Sequence, residues 1–209
     1  EILSLVEKLQ QEGALVNWKN NPDGTRSPYE INVTYLDALS LRDSSDDERI
    51  ARFILAHAVL LSLPGVPAVY IQSILGSRND YEGVERLGYN RAINRKKYTA
   101  GQVDRELNNN KSIRYQIYSR LSELIAIRRG ERAFHPDSQA IFDAIGENIL
   151  KIVRVAENGE RMTALFNFSN KMQTVYGQTL FGRDLLSGQD ISGTELTLNT
   201  WRVMWIKEN

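Results

Sequence analysis

The chain has 209 residues, 42% hydrophobic and 25% charged, which are ordinary values for a globular protein. Lys and Arg number 26 and so do Asp and Glu, so the zero net charge argues against nucleic acid or an anionic membrane as a partner. With no cysteine and only two histidines, disulfides, thiolate metal sites and multi-histidine metal sites are excluded, and no cofactor is indicated. The lack of cysteine fits a cytoplasmic location, and no apolar run reaches the roughly 18 residues of a membrane helix.

The first residues already carry a helical pattern. Apolar residues recur at helical spacing over residues 2–9, and Gly13 can close the helix. Because the pattern starts directly after Glu1 without a capping residue, we expect the chain to be a piece cut from a longer protein. Residues 15–40 are irregular and polar, with a turn at residues 21–24 and an extended stretch expected over residues 29–35.

The central part of the chain reads helix, strand, loop, helix. Ser45 begins a capping box with Glu48, and the helix that it starts extends to about Ser62. An apolar strand is predicted over residues 66–71, followed by a long polar loop and a second helix over residues 111–129. A buried strand that leads into a polar loop is how α/β enzymes build active sites, and this order is typical of the end of a (β/α) barrel.

Beyond Pro136 the period of the apolar residues changes from 3.6 to 2. Strands are predicted over residues 148–155 and 161–169, joined by a hairpin turn that contains Asn158 and Gly159. Further strands are expected over 173–180, 194–198 and 201–206. The sequence therefore predicts an α/β domain over residues 1–135, and a small antiparallel β domain, a sandwich, over residues 136–209.

Several motifs together indicate a family. They occupy residues 27–39, 63–70, 76–80, 91–98, 166–169, 184–188 and 201–206. In this order they resemble the sucrose phosphorylase group of glycoside hydrolase family 13, and the resemblance spans nearly all of the chain. It implies the terminal part of a (β/α)8 TIM barrel followed by the β domain that ends amylase-type proteins.

The resemblance also implies a reaction and its partners. Enzymes of this group are retaining: an aspartate attacks the anomeric carbon of an α-glucoside and a glutamate acts as acid and base. Phosphate then accepts the glucosyl group, which gives α-glucose 1-phosphate. The three catalytic carboxylates align before residue 1, so no catalytic residue is assigned here and the chain alone is predicted to be inactive. The implied partners are the α-glucoside, phosphate and the N-terminal part of the barrel, with a homodimer left open.

Four residues are expected to bind substrate. Arg91 matches the arginine that in the family hydrogen-bonds the glucosyl ring, and its planar donors suit vicinal hydroxyl groups. Tyr29 and Glu30 match loop positions that face the acceptor or phosphate, and Asn94 lies in the same motif as Arg91. Glu30 replaces a glutamine of sucrose phosphorylases and Ala92 replaces an aspartate. Both differences argue against sucrose itself. Residues 76–80, together with Ala92 after Arg91, resemble more closely the relatives that act on glucosylglycerate or glucosylglycerol.

Alternative functions are left open. A family 13 α-glucosidase or transglucosidase would use water or a sugar in place of phosphate. A non-catalytic carbohydrate-binding module would use the β domain, with Trp201 or Trp205 exposed to stack on sugar. Nucleic-acid binding by the basic residues between Arg86 and Lys97 is disfavoured, because the acidic residues Asp80, Glu82 and Glu85 belong to the same loop and no aromatic stacking platform accompanies the basic residues.

Overall fold

The computed structural model describes residues 1–177 and 180–209. None of the helices in this described part is long and apolar enough to cross a membrane. The helices are α1 (Ile2–Gln11), α2 (Tyr35–Ala38), α3 (Asp46–Ser62), α4 (Ile71–Ile74), α5 (Tyr81–Leu87), α6 (Ala100–Leu107) and α7 (Ile113–Gly130). The strands are β1 (Leu15–Asn20), β2 (Arg26–Asn32), β3 (Gln139–Ile145), β4 (Ile149–Val155), β5 (Arg161–Asn167), β6 (Gln173–Asp184), β7 (Asp190–Leu198) and β8 (Val203–Glu208).

The chain forms two compact units. The first comprises Glu1–Phe53 and Val69–Ser119, and the second comprises Ile54–Ala68 and Arg120–Asn209. The domain boundary at residues 135 and 136 stays a prediction.

The first unit contains an antiparallel ribbon made of β1 and β2. The turn between them holds Gly24 at φ +82°, where a left-handed backbone favours glycine. The backbone N–H of Asn21 donates to the carbonyl of Thr25 at 2.8 Å, and the Asp23 carboxylate accepts from the backbone N–H of Thr25 at 3.0 Å. The turn expected over residues 21–24 is therefore present, and it closes a regular hairpin.

The predicted polar loop after residue 71 is partly helical. It contains α4, α5 and α6, together with a 3₁₀ helix at Asn90–Asn94. Asp80 caps α5 by accepting from the backbone N–H of Gly83 at 3.2 Å, and Thr99 and Gln102 form a capping box for α6. Caps of this kind stabilise helices that are too short to persist by propensity alone.

The strand predicted over residues 66–71 is wrong for this chain. Residues 66–70 have no regular secondary structure, and α4 begins at Ile71. A parallel strand exists only where neighbouring strands satisfy its backbone groups, and no strand in the described part pairs with these residues.

The second unit is built around an antiparallel sheet of six strands in the order β3-β4-β5-β8-β6-β7. The hairpin between β4 and β5 turns at residues 156–160, as expected, with Gly159 at φ +87°. β5 lies at the centre of the sheet, and its residues from Met162 to Asn167 are buried on both faces. The antiparallel β domain is therefore confirmed.

The layers of this β domain come from one continuous sheet rather than from two separate ones. A single buried cluster collects side chains from five strands: Ile149, Leu165, Val175, Leu180, Leu198, Met204 and Ile206. For strands so far apart in one sheet to meet in one cluster, the sheet must curl. An irregular register in β6, between Tyr176 and Leu180, is a feature that bends strands.

Candidate functional site

A β-bulge shapes the ribbon at the residues expected to face an acceptor. Asn17 lies opposite Glu30, whereas the next residue, Trp18, lies opposite Pro28. Tyr29 is therefore the extra residue of the bulge, and its side chain is 64% exposed. Bulges redirect side chains and occur preferentially beside functional sites, so the irregularity presents Tyr29 to solvent next to Glu30.

Glu30 and Arg91, which are 61 positions apart in the sequence, form an ion pair. The Nε of Arg91 donates to both carboxylate oxygens of Glu30, at 2.9 Å each. Both side chains keep access to solvent, with 46% of Arg91 and 29% of Glu30 exposed. Because both of these hydrogen bonds come from Nε, Glu30 does not use the terminal guanidinium nitrogens, and these can donate to a ligand.

Two asparagines support this pair from the other side. The Nδ2 of Asn17 donates to Oε2 of Glu30 at 3.0 Å, and the Nδ2 of Asn90 donates to Oδ1 of Asn17 at 2.7 Å. Asn90 immediately precedes Arg91, so the four residues close a ring that joins the ribbon to the 3₁₀ helix. Asn17 and Asn90 were not predicted from the sequence. Nothing in their spacing indicates that β1 pairs with β2, or that Asn90 of the 3₁₀ helix contacts Asn17 of β1.

Buried neighbours hold the 3₁₀ helix that carries Arg91. Ala92 and Ile93 are 2% and 0% exposed, and the carbonyl of Ile93 accepts from the backbone N–H of Asp80 at 2.8 Å. Ala92 therefore fills a buried position, which explains why an apolar side chain is tolerated there. Asn94 is half-buried at the end of the same helix, and in the described part it is not hydrogen-bonded to Glu30 or Arg91.

The ion pair shifts the pKa values of both partners. The hydrogen bond from Arg91 lowers the pKa of Glu30 below its ordinary value of 4.5, and the bond from Asn17 adds to the effect. The hydrogen bond to Glu30, followed by its charge, raises the pKa of Arg91. Glu30 is therefore an ionised hydrogen-bond acceptor at neutral pH.

This shift makes a prediction for Glu30→Gln. A carboxylate whose pKa is lowered on folding contributes stability above its unfolded value of 4.5 and loses it as the pH falls through the folded value. We therefore expect the wild-type protein to exceed Glu30→Gln in thermal midpoint at pH 6, by an amount that shrinks below pH 4.5. Thermal unfolding of both proteins between pH 3 and pH 6 measures the difference. A gap that stays constant over this range would contradict the assignment.

Other polar residues of the loop have structural roles. The Oδ1 of Asn79 accepts from the backbone N–H of Thr34 at 2.8 Å, and Asp80 is the cap of α5. These two residues hold the segments on which the Glu30–Arg91 pair depends.

Trp201 and Trp205 do not form an exposed platform. Trp205 is 0% exposed, packs against Phe134 at a ring distance of 4.7 Å, and donates from Nε1 to Oγ of Ser62 at 2.9 Å. Trp201 is half-buried. The expectation that a carbohydrate-binding module would expose such a tryptophan is therefore not met at Trp205.

Comparison with known proteins shows which proteins the chain resembles. No family model matches it. It is 64% identical over 207 residues to a glucosylglycerate phosphorylase from Escherichia coli, and the alignment covers 99% of this chain and 37% of that protein. It is 34% identical over 122 residues to a sucrose phosphorylase from Agrobacterium vitis, covering 58% of this chain and 22% of that protein. The chain is therefore similar, over nearly its whole length, to the C-terminal part of glucosylglycerate and sucrose phosphorylases.

Solved structures share the fold of this chain. The crystal structure of sucrose 6F-phosphate phosphorylase from Thermoanaerobacter thermosaccharolyticum matches with a TM-score of 0.66 at 21% identity, over 92% of this chain and 35% of that one. The trehalulose synthase from Pseudomonas mesoacidophila matches with a TM-score of 0.61 at 18% identity, over 85% of this chain and 41% of that one. The chain corresponds to a C-terminal portion of family proteins and spans little more than a third (37%) of its E. coli relative.

Proposed function

We propose that this chain is the substrate-holding part of a retaining α-glucoside phosphorylase that acts on a glucosylglycerate-like substrate. The observation that carries the proposal is the Glu30–Arg91 ion pair, held by Asn17 beside the bulged Tyr29. It unites three of the four residues assigned by the family resemblance. The 64% identity to a glucosylglycerate phosphorylase supports the same substrate class.

The geometry suits different tasks for the two charged residues. Arg91 offers its terminal guanidinium nitrogens to the hydroxyl groups of a glucosyl ring, in a fixed plane. Glu30 is ionised, so its carboxylate can accept hydrogen bonds from the hydroxyl groups of the acceptor molecule. Because Arg91 neutralises Glu30, the carboxylate repels phosphate or a carboxylate-bearing acceptor less than an isolated one does. Tyr29 and Asn94 complete the set as contacts at its margin.

The bond chemistry is assigned to the remainder of the protein. The family uses a nucleophilic aspartate and an acid–base glutamate, and we assign no carboxylate of this chain to either role. In the first unit, the neighbouring apolar residues Tyr70 and Ile71 are each 55% exposed. Exposed apolar residues that adjoin one another are typical of surfaces that another segment covers. The N-terminal part of the barrel is the partner proposed.

Phosphorolysis is tested on the full-length protein. With glucosylglycerate as substrate, release of glucose 1-phosphate that requires added phosphate is the expected result. Equal consumption of substrate without phosphate would instead identify a hydrolase of the same family. Parallel assays with sucrose and glucosylglycerol define the acceptor. The division at residues 135 and 136, the cytoplasmic location and a homodimer remain predictions.

The isolated chain is predicted to be inactive. Without the nucleophile and the acid–base residue, no covalent glucosyl intermediate can form, so the 209 residues alone should release no glucose 1-phosphate above background. Circular dichroism of the same sample serves as the control for folding. Phosphate-dependent release by a folded sample would overturn this assignment.

A further inference from the structure

A polar cavity lies in the first unit, and its lining includes neither Glu30 nor Arg91. It has a volume of about 190 Å³, and its charged lining consists of Arg42, Arg49, Arg78, Asp37 and Glu12. Three guanidinium groups therefore face two carboxylates. A water molecule takes about 30 Å³ of liquid, so the space holds a tetrahedral oxyanion with a few waters.

The floor of the cavity is a fully bonded carboxylate. Asp37 is buried, and its Oδ1 accepts from Nε of Arg78 and lies 3.6 Å from Arg49. Its Oδ2 accepts from the backbone N–H of Asn79 at 2.7 Å and from Oγ1 of Thr34 at 3.1 Å. Both oxygens are occupied, so Asp37 sets positions without offering a free acceptor to a ligand.

The backbone of Arg42 is held on both sides. Its N–H donates to Oε2 of Glu12 at 2.7 Å, and its carbonyl accepts from the buried guanidinium of Arg49. Arg49 also donates from Nε to the carbonyl of Ser44 at 3.1 Å, which fixes the following residues. The guanidinium of Arg42 itself donates to no residue in the described part of the chain.

Arg78 repeats this arrangement. Its Nε is bound to Asp37, while its terminal nitrogens donate to no described residue, and its side chain is 45% exposed. Two guanidinium groups thus line one small space: Arg42 is held only through its backbone, whereas Arg78 is anchored through Nε. Asp37 has no free oxygen to receive these donors, and a fork of N–H donors matches phosphate and carboxylate oxygens.

We propose that this cavity binds a small oxyanion, phosphate or a compact carboxylate, between the guanidinium groups of Arg42 and Arg78. The site is separate from the Glu30–Arg91 pair and does not depend on the function proposed above. A bound anion joins the segment around Arg42 to the segment around Arg78. The latter carries Asn79, which accepts from the backbone N–H of Thr34, two residues after the end of β2. Occupancy is therefore expected to stabilise the base of the ribbon.

The test is calorimetric titration of the full-length protein with inorganic phosphate and, separately, with sodium glycerate, at constant ionic strength. Arg42→Gln removes a side chain without a partner in the described part and should fold normally. It is expected to weaken binding at this site about ten- to hundredfold, because charged hydrogen bonds are lost. Arg78→Gln should do the same. Arg86→Gln, an exposed arginine of α5, is the matched control and should leave binding unchanged.

Arg91→Gln separates this site from the pair at Glu30. If Arg91→Gln leaves an anion-binding event that Arg42→Gln removes, the proposal stands, whether or not phosphorolysis is observed. Tighter binding of phosphate than of glycerate assigns the site to phosphate, and the reverse assigns it to carboxylates. If neither anion binds, or if Arg91→Gln abolishes all binding while Arg42→Gln has no effect, the proposal is overturned.

Discussion

Replacing Arg91 by glutamine is expected to lower the kcat/KM of the full-length protein in the proposed phosphorolysis about a hundredfold. The change removes terminal donors that we assign to the glucosyl ring, and hydrogen bonds from a charged group are the strong ones. It also leaves the Glu30 carboxylate without its cationic partner, although Asn17 still donates to it at 3.0 Å. Steady-state phosphorolysis of glucosylglycerate, with kcat and KM determined separately, measures the effect.

Separate changes in kcat and KM show whether Arg91 contacts the bound substrate, the transition state or both. A rise in KM with kcat unchanged would mean that Arg91 binds the ground state and the transition state equally, whereas a fall in kcat would mean a contact that strengthens in the transition state. Arg95→Gln is the matched control, because Arg95 is exposed and lies just beyond the same 3₁₀ helix. If both variants retain wild-type kcat/KM, Arg91 does not contact substrate.

A double-mutant cycle with Glu30→Gln tests whether the ion pair acts as a unit. Because the two side chains are in direct contact, their effects on kcat/KM are expected not to add. Strictly additive losses would indicate that each residue meets the ligand independently of the other.

Elements with local signals were predictable from the sequence. The helix predicted from Ser45 to about Ser62 is observed as Asp46–Ser62, because the cap and the apolar stripe that includes Ile50 and Leu61 both lie within it. The β4–β5 hairpin was equally predictable, since Asn158 and Gly159 are typical residues of such a turn. The capping box of Thr99 and Gln102 was present in the sequence too, and it would have indicated α6 within the predicted loop.

Elements that depend on neighbours were not predictable. β3 has an irregular pattern of apolar residues with Ile141 and Phe142 both exposed, and it is a strand because it pairs with β4 along its whole length. The reverse holds for residues 66–70, which are apolar enough for a strand but pair with no described strand. β-structure is a property of the pair, so composition alone misassigns both segments.

The candidate site, like the fold, has a part that was predictable from the sequence and a part that was not. The resemblance indicated Arg91, Glu30 and Tyr29 individually. Their contact, and the support from Asn17 and Asn90, depends on a bulge in the ribbon and on a 3₁₀ helix 61 positions further along the chain. No periodicity in the sequence encodes such a distance.

Replacing Arg154 by methionine is expected to destabilise the second unit by about 4 kcal/mol. Arg154 lies on β4, is 0% exposed, and has no carboxylate partner in the described part of the chain. Its guanidinium donates to four backbone carbonyls, those of Ser62 at 2.9 Å, His135 at 2.7 Å, Ser138 at 3.1 Å and Gln139 at 3.2 Å. Methionine fills much of the volume but donates to none of them, so the buried Ser62 carbonyl loses its donor, whereas the His135 carbonyl keeps the backbone N–H of Ser138. A hydrogen bond to a charged group contributes about 1.5–3 kcal/mol.

The charge of Arg154 is compensated by a helix end. Ser62 is the last residue of α3, where unpaired carbonyls carry partial negative charge, and Arg128 donates to the carbonyls of Leu61 and Gly65 at the same place. Burial, and then the charge of Arg128, lowers the pKa of Arg154, but an arginine remains protonated at neutral pH. The two cations therefore substitute for the missing C-terminal hydrogen bonds of α3.

Urea unfolding followed by tryptophan fluorescence measures the loss, because Trp205 lies in the same region, with its Nε1 on Oγ of Ser62. Arg161→Met on neighbouring β5 is the matched control: it breaks a more exposed ion pair with Glu208 at 3.0 Å and should cost less than about 1 kcal/mol.

The stability of Arg154→Lys should fall between those of the two methionine variants, since an ammonium group keeps the charge but reaches fewer carbonyls. Buried charges can sometimes be exchanged for apolar side chains without loss. If the urea midpoint of Arg154→Met is no lower than that of Arg161→Met, other groups donate to these carbonyls. Arg154 is then not required to stabilise the C-terminal end of α3.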